Sequence, residues 1–398
     1  MALDTTTGAA ILKKLYPDGV MKNLTFQDRP FLAMVPKAQW AGSTVEIPLI
    51  YGNPAGVSST MSTAITNKGN SASKCFAVTM RKIYGVGAID NEIMEKSATD
   101  KGAFVQALKY EADNVLGAVS NRLASQLFRT GGGSIGKVSA VTSTTLTLTN
   151  ASDAVNFEVG MLVGGDTVDG GGTVHSGAEP ITAVNRDTGV LTAAAWTDIT
   201  GVAAGDFLFQ EGCYDTSLHG LGSWVPTTAP GATDFFGVNR SADVSRLGGL
   251  RVAATEVSGY PIEQKLLAGL TRCAVAGGKP DVIFMNPVDF GALVDELGSK
   301  VQYNSFKVGE IGFSALRIYG QTGEVKVMAD RFCPENLAYA IQLNTMRLFT
   351  TSGGAPKFLD LDGKLSREST SDAYEFRVGL YGNMTCSAPG FNCVIDLT

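Results

Sequence analysis

Charged residues are scarce in this chain. They make up 18% of its 398 residues, with 32 Lys and Arg against 38 Asp and Glu. The net charge of −6 argues against a general nucleic-acid-coating protein, because such proteins present a strongly basic surface. A low content of charged residues, together with 47 glycines, favours a protein whose surface is largely covered by neighbouring chains.

Histidines, paired cysteines and long apolar runs are scarce as well. The two histidines, His175 and His219, have no carboxylate or thiol at ligand spacing, so no metal site is predicted. The six cysteines form no C-x-x-C pair, which indicates free thiols in a reducing cytosol. The sequence has no run approaching the roughly 20 apolar residues of a membrane span, and its polar first residues show no secretory signal. We therefore expect no membrane partner.

Two glycine motifs resemble catalytic signatures in the wrong context. Residues 132–136 match G-x-S-x-G, and residues 131–136 match G-x-G-x-x-G. Both motifs need a strand before and a helix after, whereas here a predicted helix precedes and a predicted strand follows. Residues 360–363 begin like a calcium loop but lack its bidentate Glu. The sequence predicts no catalytic residue and no cofactor, and we expect a protein that is not an enzyme.

The most prominent predicted element is one long amphipathic helix. Apolar residues recur at steps of three and four from Thr99 to Arg129, and three glycines at 131–133 end the pattern. About thirty residues at ~1.5 Å per residue give a rod of roughly 45 Å. The average helix has only about 11–12 residues. A helix of this length fits either the core of an ordinary enzyme or the spine of an extended subunit.

The first 90 residues predict an arm followed by a long two-stranded excursion. In the arm, Asp4 to Tyr16 favour a short helix, and the later apolar residues are spaced too irregularly to form their own core. The arm therefore packs either on its own domain or on a neighbouring subunit. Ser43 to Tyr51 and Phe76 to Val86 alternate as a strand and its return partner. Gly52 to Lys74 holds too few apolar residues to pack on itself, so we expect an exposed tip that is disordered or binds a partner.

Residues 134–212 differ from the rest in pattern and charge. They contain 2 Lys or Arg and 9 Asp or Glu, a net charge of −7, whereas residues 1–133 contain 14 and 10, a net charge of +4. Short period-two strands predict a small all-β module, a barrel or a sandwich, inserted into a larger domain. The predicted strands are Lys137–Val141, Thr145–Thr149, Met161–Val163, Pro180–Asn185, Gly189–Thr192 and Asp206–Gln210.

The chain from residue 213 onward predicts a mixture of helices and strands. Pro261 to Ala276 form a helix that Gly277-Gly278 end. Asp281 to Met285 form a short buried strand, and Asn286-Pro287 then open a helix that reaches Leu297. The remaining predicted strands are Glu324–Met328, Leu337–Leu343, Met346–Thr350, Tyr374–Tyr381 and Cys393–Leu397.

The order of these parts resembles the major capsid protein of tailed double-stranded DNA bacteriophages, the Hong Kong 97-like fold. The run from Val86 to Glu95 into the long helix and the strand-Asn-Pro-helix piece at 281–287 carry the resemblance. It implies an α+β chain with a named architecture. The implied parts are an N-terminal arm (1–42), an E-loop (43–85), a P-domain with a spine helix (86–133), an inserted β-domain (134–212), mainly A-domain (213–323), and P-domain strands with a C-terminal return to the A-domain (324–398).

The resemblance implies a structural protein that builds an icosahedral shell around the phage genome. Implied partners are further copies in hexamers and pentamers, a portal, a separate scaffolding protein, packaged DNA in weak non-specific contact, and a decoration protein. Assembly is implied in the host bacterial cytoplasm, with the acidic module facing away from the DNA. An encapsulin-like shell and a secreted β-rich enzyme or adhesin remain alternatives. The predicted inter-subunit contacts are Phe26, Phe31, Gly52, Asn53, Lys68, Lys74 and Phe76.

Overall fold

A computed structural model describes residues 28–90, 101–297, 315–359, 366–367 and 373–398. The predicted arm helix Asp4–Tyr16, the predicted contact Phe26 and the predicted start of the long helix at Thr99 lie outside the described residues. The described α-helices are α1 (Pro30–Met34), α2 (Met61–Thr66), α3 (Lys101–Phe128), α4 (Leu221–Trp224), α5 (Val244–Gly248), α6 (Ile262–Val275) and α7 (Pro287–Leu297).

The described strands form two six-stranded sheets, a closed barrel and two small ribbons. In chain order they are β1 (Lys37–Gln39), β2 (Thr44–Gly52), β3 (Ala72–Thr79), β4 (Arg81–Asp90), β5 (Ser134–Val141), β6 (Thr145–Leu148), β7 (Leu162–Asp166), β8 (Glu179–Asn185), β9 (Val190–Ala193), β10 (Phe207–Gln210), β11 (Asp234–Phe235), β12 (Val238–Asn239), β13 (Leu250–Val252), β14 (Val282–Met285), β15 (Ala315–Gly320), β16 (Gly323–Ala329), β17 (Leu337–Ile341), β18 (Met346–Thr350), β19 (Lys357–Phe358), β20 (Ser366–Arg367), β21 (Ala373–Cys386) and β22 (Cys393–Asp396).

The long helix α3 packs against the first sheet. Its 28 residues span about 42 Å at ~1.5 Å per residue. In this sheet β4 and β21 run antiparallel over ten residue pairs, from Arg81 with Gly382 to Asp90 with Ala373. A Cβ atom at Gly85 would lie 2.5 Å from Val119 of α3. Glycine at this position is therefore what lets the helix approach the strand closely.

The predicted return strand of the excursion is two strands with different partners. We predicted one strand from Phe76 to Val86. Instead β3 ends at Thr79 and pairs with β2, while β4 starts at Arg81 and pairs with β21. The predicted tip also contains the short helix α2. An alternating pattern that continues through residue 80 does not say that the chain changes partners there, because both strands bury alternate residues.

The second sheet has its own hydrophobic core. Its order is β13-β22-β17-β14-β16-β15, with α6 and α7 packed against it. The strand β14 is buried along all four of its residues, as expected for a central strand. The Asn286 side chain accepts a hydrogen bond from the backbone N–H of Val288 at 3.0 Å. This bond caps the start of α7, as the Asn-Pro pair predicts.

Residues 134–210 close into a six-stranded barrel. Its strand order is β10-β5-β6-β9-β8-β7, with β10 pairing back to β5 and β7. Phe157 and Trp196 are fully buried in a third hydrophobic cluster, which is separate from the other two. The sequence left a barrel and a sandwich open, and the pairing of β10 with both neighbours gives the closed form.

Candidate assembly surface

The β2–β3 hairpin is rigidly anchored at its root. Ile47 pairs with Phe76 across the two strands, and the Phe76 side chain has no exposed surface. The Phe76 ring lies edge-on to Trp224 with centroids 5.3 Å apart. Trp224 in turn donates its Nε1 hydrogen to the carbonyl oxygen of Met384 in β21 at 3.0 Å. The hairpin therefore packs on the body of the protein, and Leu49 and Tyr51 further along β2 also contact its core.

The hairpin presents four apolar side chains to solvent, three of them in its tip. Val57 is 89% exposed, Met61 76%, Ile50 69% and Ile65 56%. Met61 and Ile65 lie one turn apart on α2, so they share a helix face. Exposed apolar side chains that share one face are typical of interaction surfaces. These residues are not among the predicted contacts, although apolar residues four apart in a polar loop are a visible signal.

Four predicted contact residues lie on the same excursion. Asn53, Lys68 and Lys74 are exposed, and Gly52 is half-buried where it pairs with Ala72. Their position leaves them accessible to a second copy of the chain. Contact with that copy stays a prediction for all four.

The other two described contact residues lie in the core of their own chain. Phe31 has no exposed surface, and its ring centroid is 5.0 Å from that of Phe128 and 5.1 Å from that of Phe284. Phe76 is likewise enclosed beside Trp224. In this conformation neither side chain has surface to offer to a neighbouring subunit. An apolar residue in an irregular segment looks the same in sequence whether it packs inward or outward.

A return segment, residues 213–224, carries the chain from the barrel to the body. The backbone N–H of His219 donates to Asn383 Oδ1 at 3.0 Å, and Asn383 Nδ2 donates to the carbonyl oxygen of Thr79 at 2.9 Å. One side chain of β21 thus ties this segment to the end of β3. Burial, together with the positive charges of Arg81 and Arg240, lowers the pKa of His219 to about 4.

The barrel is docked on the body by polar contacts. Arg129, just after α3, forms an ion pair with Asp153 of the barrel, and both side chains are largely buried. Burial raises the pKa of Asp153, and the Arg129 charge opposes that rise. Ser152 Oγ also donates to Glu335 Oε2 at 2.7 Å. These contacts fix the barrel beside the end of α3.

The acidic charge of residues 134–212 is only partly on the surface. Four of its carboxylates, in Asp153, Asp166, Glu179 and Asp206, are at most 8% exposed. Apart from the Asp153 ion pair, they accept hydrogen bonds from Tyr214 Oη at 2.6 Å, Ala195 N at 3.1 Å and Ala203 N at 2.8 Å, respectively. They therefore hold loops in place, and the predicted acidic face is weaker than the net charge of −7 suggests.

The part of the chain that the structure describes holds no group of three or more His, Cys, Asp or Glu side chains arranged for a metal ion. None of its helices is both long and apolar enough to cross a membrane. The six cysteines are free thiols, and only Cys75 is exposed while Cys213 is half-buried.

Comparison with known proteins links this fold to phage capsids. Residues 212–364 match the model of the SU10 major capsid protein family. A chain of the capsid asymmetric unit of cyanophage A-1(L) superposes with a TM-score of 0.58 at 14% identity over 99% of both chains. A chain of the capsid of a native GTA particle superposes with a TM-score of 0.51 at 9% identity over 100% of both chains. No curated protein matches the sequence.

An encapsulin also appears among the similar structures, with a lower score. The SrpI encapsulin of Synechococcus elongatus gives a TM-score of 0.48 at 10% identity over 100% of this chain and 96% of its own. Identities this low establish a shared fold only, and this TM-score supports no argument.

The mixed α/β fold of the chain is that of phage capsid proteins, as the match to the cyanophage capsid shows. Together with the family match over residues 212–364, it supports a structural phage major capsid protein.

Proposed function

We propose that this chain self-assembles through its hairpin tip and N-terminal arm into an icosahedral shell around a double-stranded DNA phage genome. One observation carries the proposal: a hairpin fixed at its root ends in exposed apolar side chains. A two-stranded ribbon is marginally stable by itself, so its tip gains stability by packing on another surface. A second copy supplies that surface in every subunit of a symmetric shell.

The proposed division of the chain follows the family architecture. The arm is 1–42, and the P-domain combines 86–133, with α3 as its spine, and the first-sheet strands β18 to β21. The A-domain is mainly 213–323, and the strands β16, β17 and β22, mostly within 324–398, return to its sheet. The barrel at 134–212 is an insertion, which its separate core supports. We end the E-loop at Thr79 instead of residue 85, because β4 pairs with β21 along its whole length.

The proposed partners are those of a capsid subunit. Further copies form hexamers and pentamers, and a portal and a separate scaffolding protein take part in assembly in the host cytoplasm. Packaged DNA makes weak, non-specific contacts with the inner face, and the barrel faces outward, where a decoration protein can bind. The exposed carboxylates of Glu158, Asp187, Asp198 and Glu211 support that orientation, because phosphate repels them. The role is structural, without catalysis.

The test replaces the apolar tip and leaves the rest of the chain unchanged. In the triple variant Val57→Ser, Met61→Ser, Ile65→Ser, we expect a folded subunit with native circular dichroism. That subunit should stay as a small species by sedimentation, while the unmodified chain forms shells visible by electron microscopy. The matched control is Ser59→Ala, Ser62→Ala, since both serines are exposed on the same tip. Normal shells from the triple variant would refute the role of the tip.

The contents of the shell distinguish the alternatives. Shells purified from infected cells and treated with nuclease should contain protected double-stranded DNA. Protein cargo without DNA would instead indicate an encapsulin-like shell. A chain that remains a monomer and has hydrolytic activity would indicate a secreted enzyme.

A further inference from the structure

The first turn of helix α1 lacks a cap from its own sequence. The helix is five residues long, Pro30–Met34, and Arg29 at its N-cap makes no side-chain capping bond. The N–H groups of a first helical turn have no partner within the helix. In this protein the N–H of Phe31 must find an acceptor in the core, because the Phe31 side chain is fully buried.

Asp330 supplies that acceptor from the far end of the chain. Its Oδ2 accepts the Phe31 N–H at 3.1 Å, and its Oδ1 accepts the N–H of Phe332 at 3.0 Å. Its own N–H donates to the carbonyl oxygen of Met285 at 2.9 Å, which fixes it beside β14. The residue is 1% exposed. One carboxylate thus joins the arm helix to the body over a separation of 299 residues.

The groups around Asp330 do not cancel the effect of burial on its pKa. Burial is the main cause that raises its pKa to about 6, and the charge of Asp28 in the arm raises it further. The two N–H bonds and the charge of Arg331 act in the opposite direction. The neighbouring thiol of Cys333 is buried and interacts with both Asp330 and Asp289.

We propose that Asp330 is a pH-sensitive latch that holds the N-terminal arm on the body and holds it more tightly in acid. The physical reason is linkage: a carboxyl group that binds its proton more readily when enclosed favours the enclosed state as protons become available. When the arm lifts away, water reaches Asp330 and its pKa returns to near its ordinary value of about 3.9. The ratio of closed to open arm should therefore rise about tenfold from pH 7.5 to pH 5.

The test follows hydrogen exchange at the Phe31 amide in the full-length chain. Rates are measured from pH 7.5 to pH 5 and corrected for the intrinsic effect of pH on exchange. We expect protection of this amide to increase about tenfold on acidification. In Asp330→Asn, which has no group to titrate, protection should stay flat over the same range. Equal pH dependence in both proteins, or protection that falls in acid, would overturn the latch.

Asp289→Asn is the matched control. Asp289 is also buried with a pKa raised to about 6, but its carboxylate accepts from the backbone N–H of Asn336, away from the arm. This variant should keep the pH response of the Phe31 amide. Amides of β14, measured in the same experiment, separate opening of the arm from unfolding of the body.

A second variant keeps the proposal testable if Asp330→Asn does not fold. Asp28→Asn removes the like charge and leaves both hydrogen bonds of Asp330 intact. The midpoint of the protection curve should then move to lower pH. An unchanged midpoint would contradict the latch. The experiment does not depend on shell formation, so its outcome is separate from that of the proposed function.

Discussion

Arg81 donates a hydrogen bond from its guanidinium to Nε2 of His219 at 3.4 Å. Because arginine only donates, Nε2 must be the unprotonated nitrogen, and the proton of the neutral ring lies on Nδ1. Nδ1 is 3.1 Å from Ser223 Oγ, to which it can donate. Ser223 Oγ also accepts the backbone N–H of Gly131 at 3.1 Å. The neutral imidazole thus connects β4, the return segment and the chain just after α3.

Acid should destabilise this junction through His219. The folded-state pKa of about 4 lies below the unfolded value of about 6.5, so the unfolded chain takes up the proton first. The penalty is absent above pH 7, grows as the pH falls below 6.5 and is complete below pH 4. Between pH 7.5 and pH 5 it reaches about 2 kcal/mol. Comparing urea unfolding of the native chain with that of His219→Gln isolates the contribution of His219 to the pH dependence of stability.

The comparison with His219→Gln is needed because other groups act in the opposite direction. Burial raises the pKa values of Asp289 and Asp330 to about 6, so these groups add stability as the pH falls through 6. If the free energy of unfolding depends on pH in the same way in the native protein and the variant, His219 is not held in its neutral form by the fold.

Substituting Gly131 should damage the same junction. A Cβ atom there would lie 2.1 Å from Cε1 of the His219 ring, so Gly131→Ala forces the imidazole out of position. We expect a loss of about 2 kcal/mol or more, as for overpacking at a tight site. Gly117→Ala is the control, because its Cβ would meet nothing within 4 Å and it lies inside α3. That change should add about 0.5–1 kcal/mol. Equal effects at both sites would contradict the crowding at Gly131.

Phe31 should matter to the folding of the single chain. Phe31→Ala removes the ring between Phe128 and Phe284 and should cost about 3–5 kcal/mol, as for other core Phe residues. Lys68→Ala on the exposed tip should change the free energy of unfolding by less than about 0.5 kcal/mol. Unfolding of unassembled protein measures both. A Phe31→Ala chain of normal stability that fails to assemble would restore the predicted inter-subunit role of Phe31.

The Arg129–Asp153 pair should be strongly coupled. Arg129→Met leaves a buried carboxylate without its charge partner, which should cost about 3–5 kcal/mol. Replacing both residues with apolar ones should cost clearly less than the sum of the single changes, because no uncompensated charge remains. A double-mutant cycle by urea unfolding gives the coupling. Additive costs would indicate that the pair does not hold the barrel.

Much of the local structure could be predicted from the sequence. The helical stripe and the following glycines placed α3, which runs from Lys101 to Phe128. Period-two patterns placed the strands of residues 134–210, and Asn286-Pro287 placed the start of α7. These features depend on neighbours in sequence, where side-chain periodicity and caps act.

Interactions across the chain could not be predicted in the same way. The change of partner at Met80 depends on which strand lies beside β4, and one alternating pattern serves both pairings. The net charge of a sequence counts the four buried carboxylates of the barrel as if they were on the surface. For Asp153, Asp166 and Glu179 the partners lie at least 16 residues away in the chain. The exposed tip residues Val57, Met61 and Ile65 are not among the predicted contacts, because the prediction for this loop used its low overall apolar content and not its individual apolar residues.

By itself the sequence determined where many of the helices and strands form, and their order resembles that of a capsid subunit. Only the tertiary structure decided what each part touches. Phe31 looked like a residue for a neighbour and lies in its own core, while Asp330 caps a helix 299 residues away. The physical reason is that periodicity and caps act over a few residues, whereas burial and pairing depend on which distant segments the fold brings together.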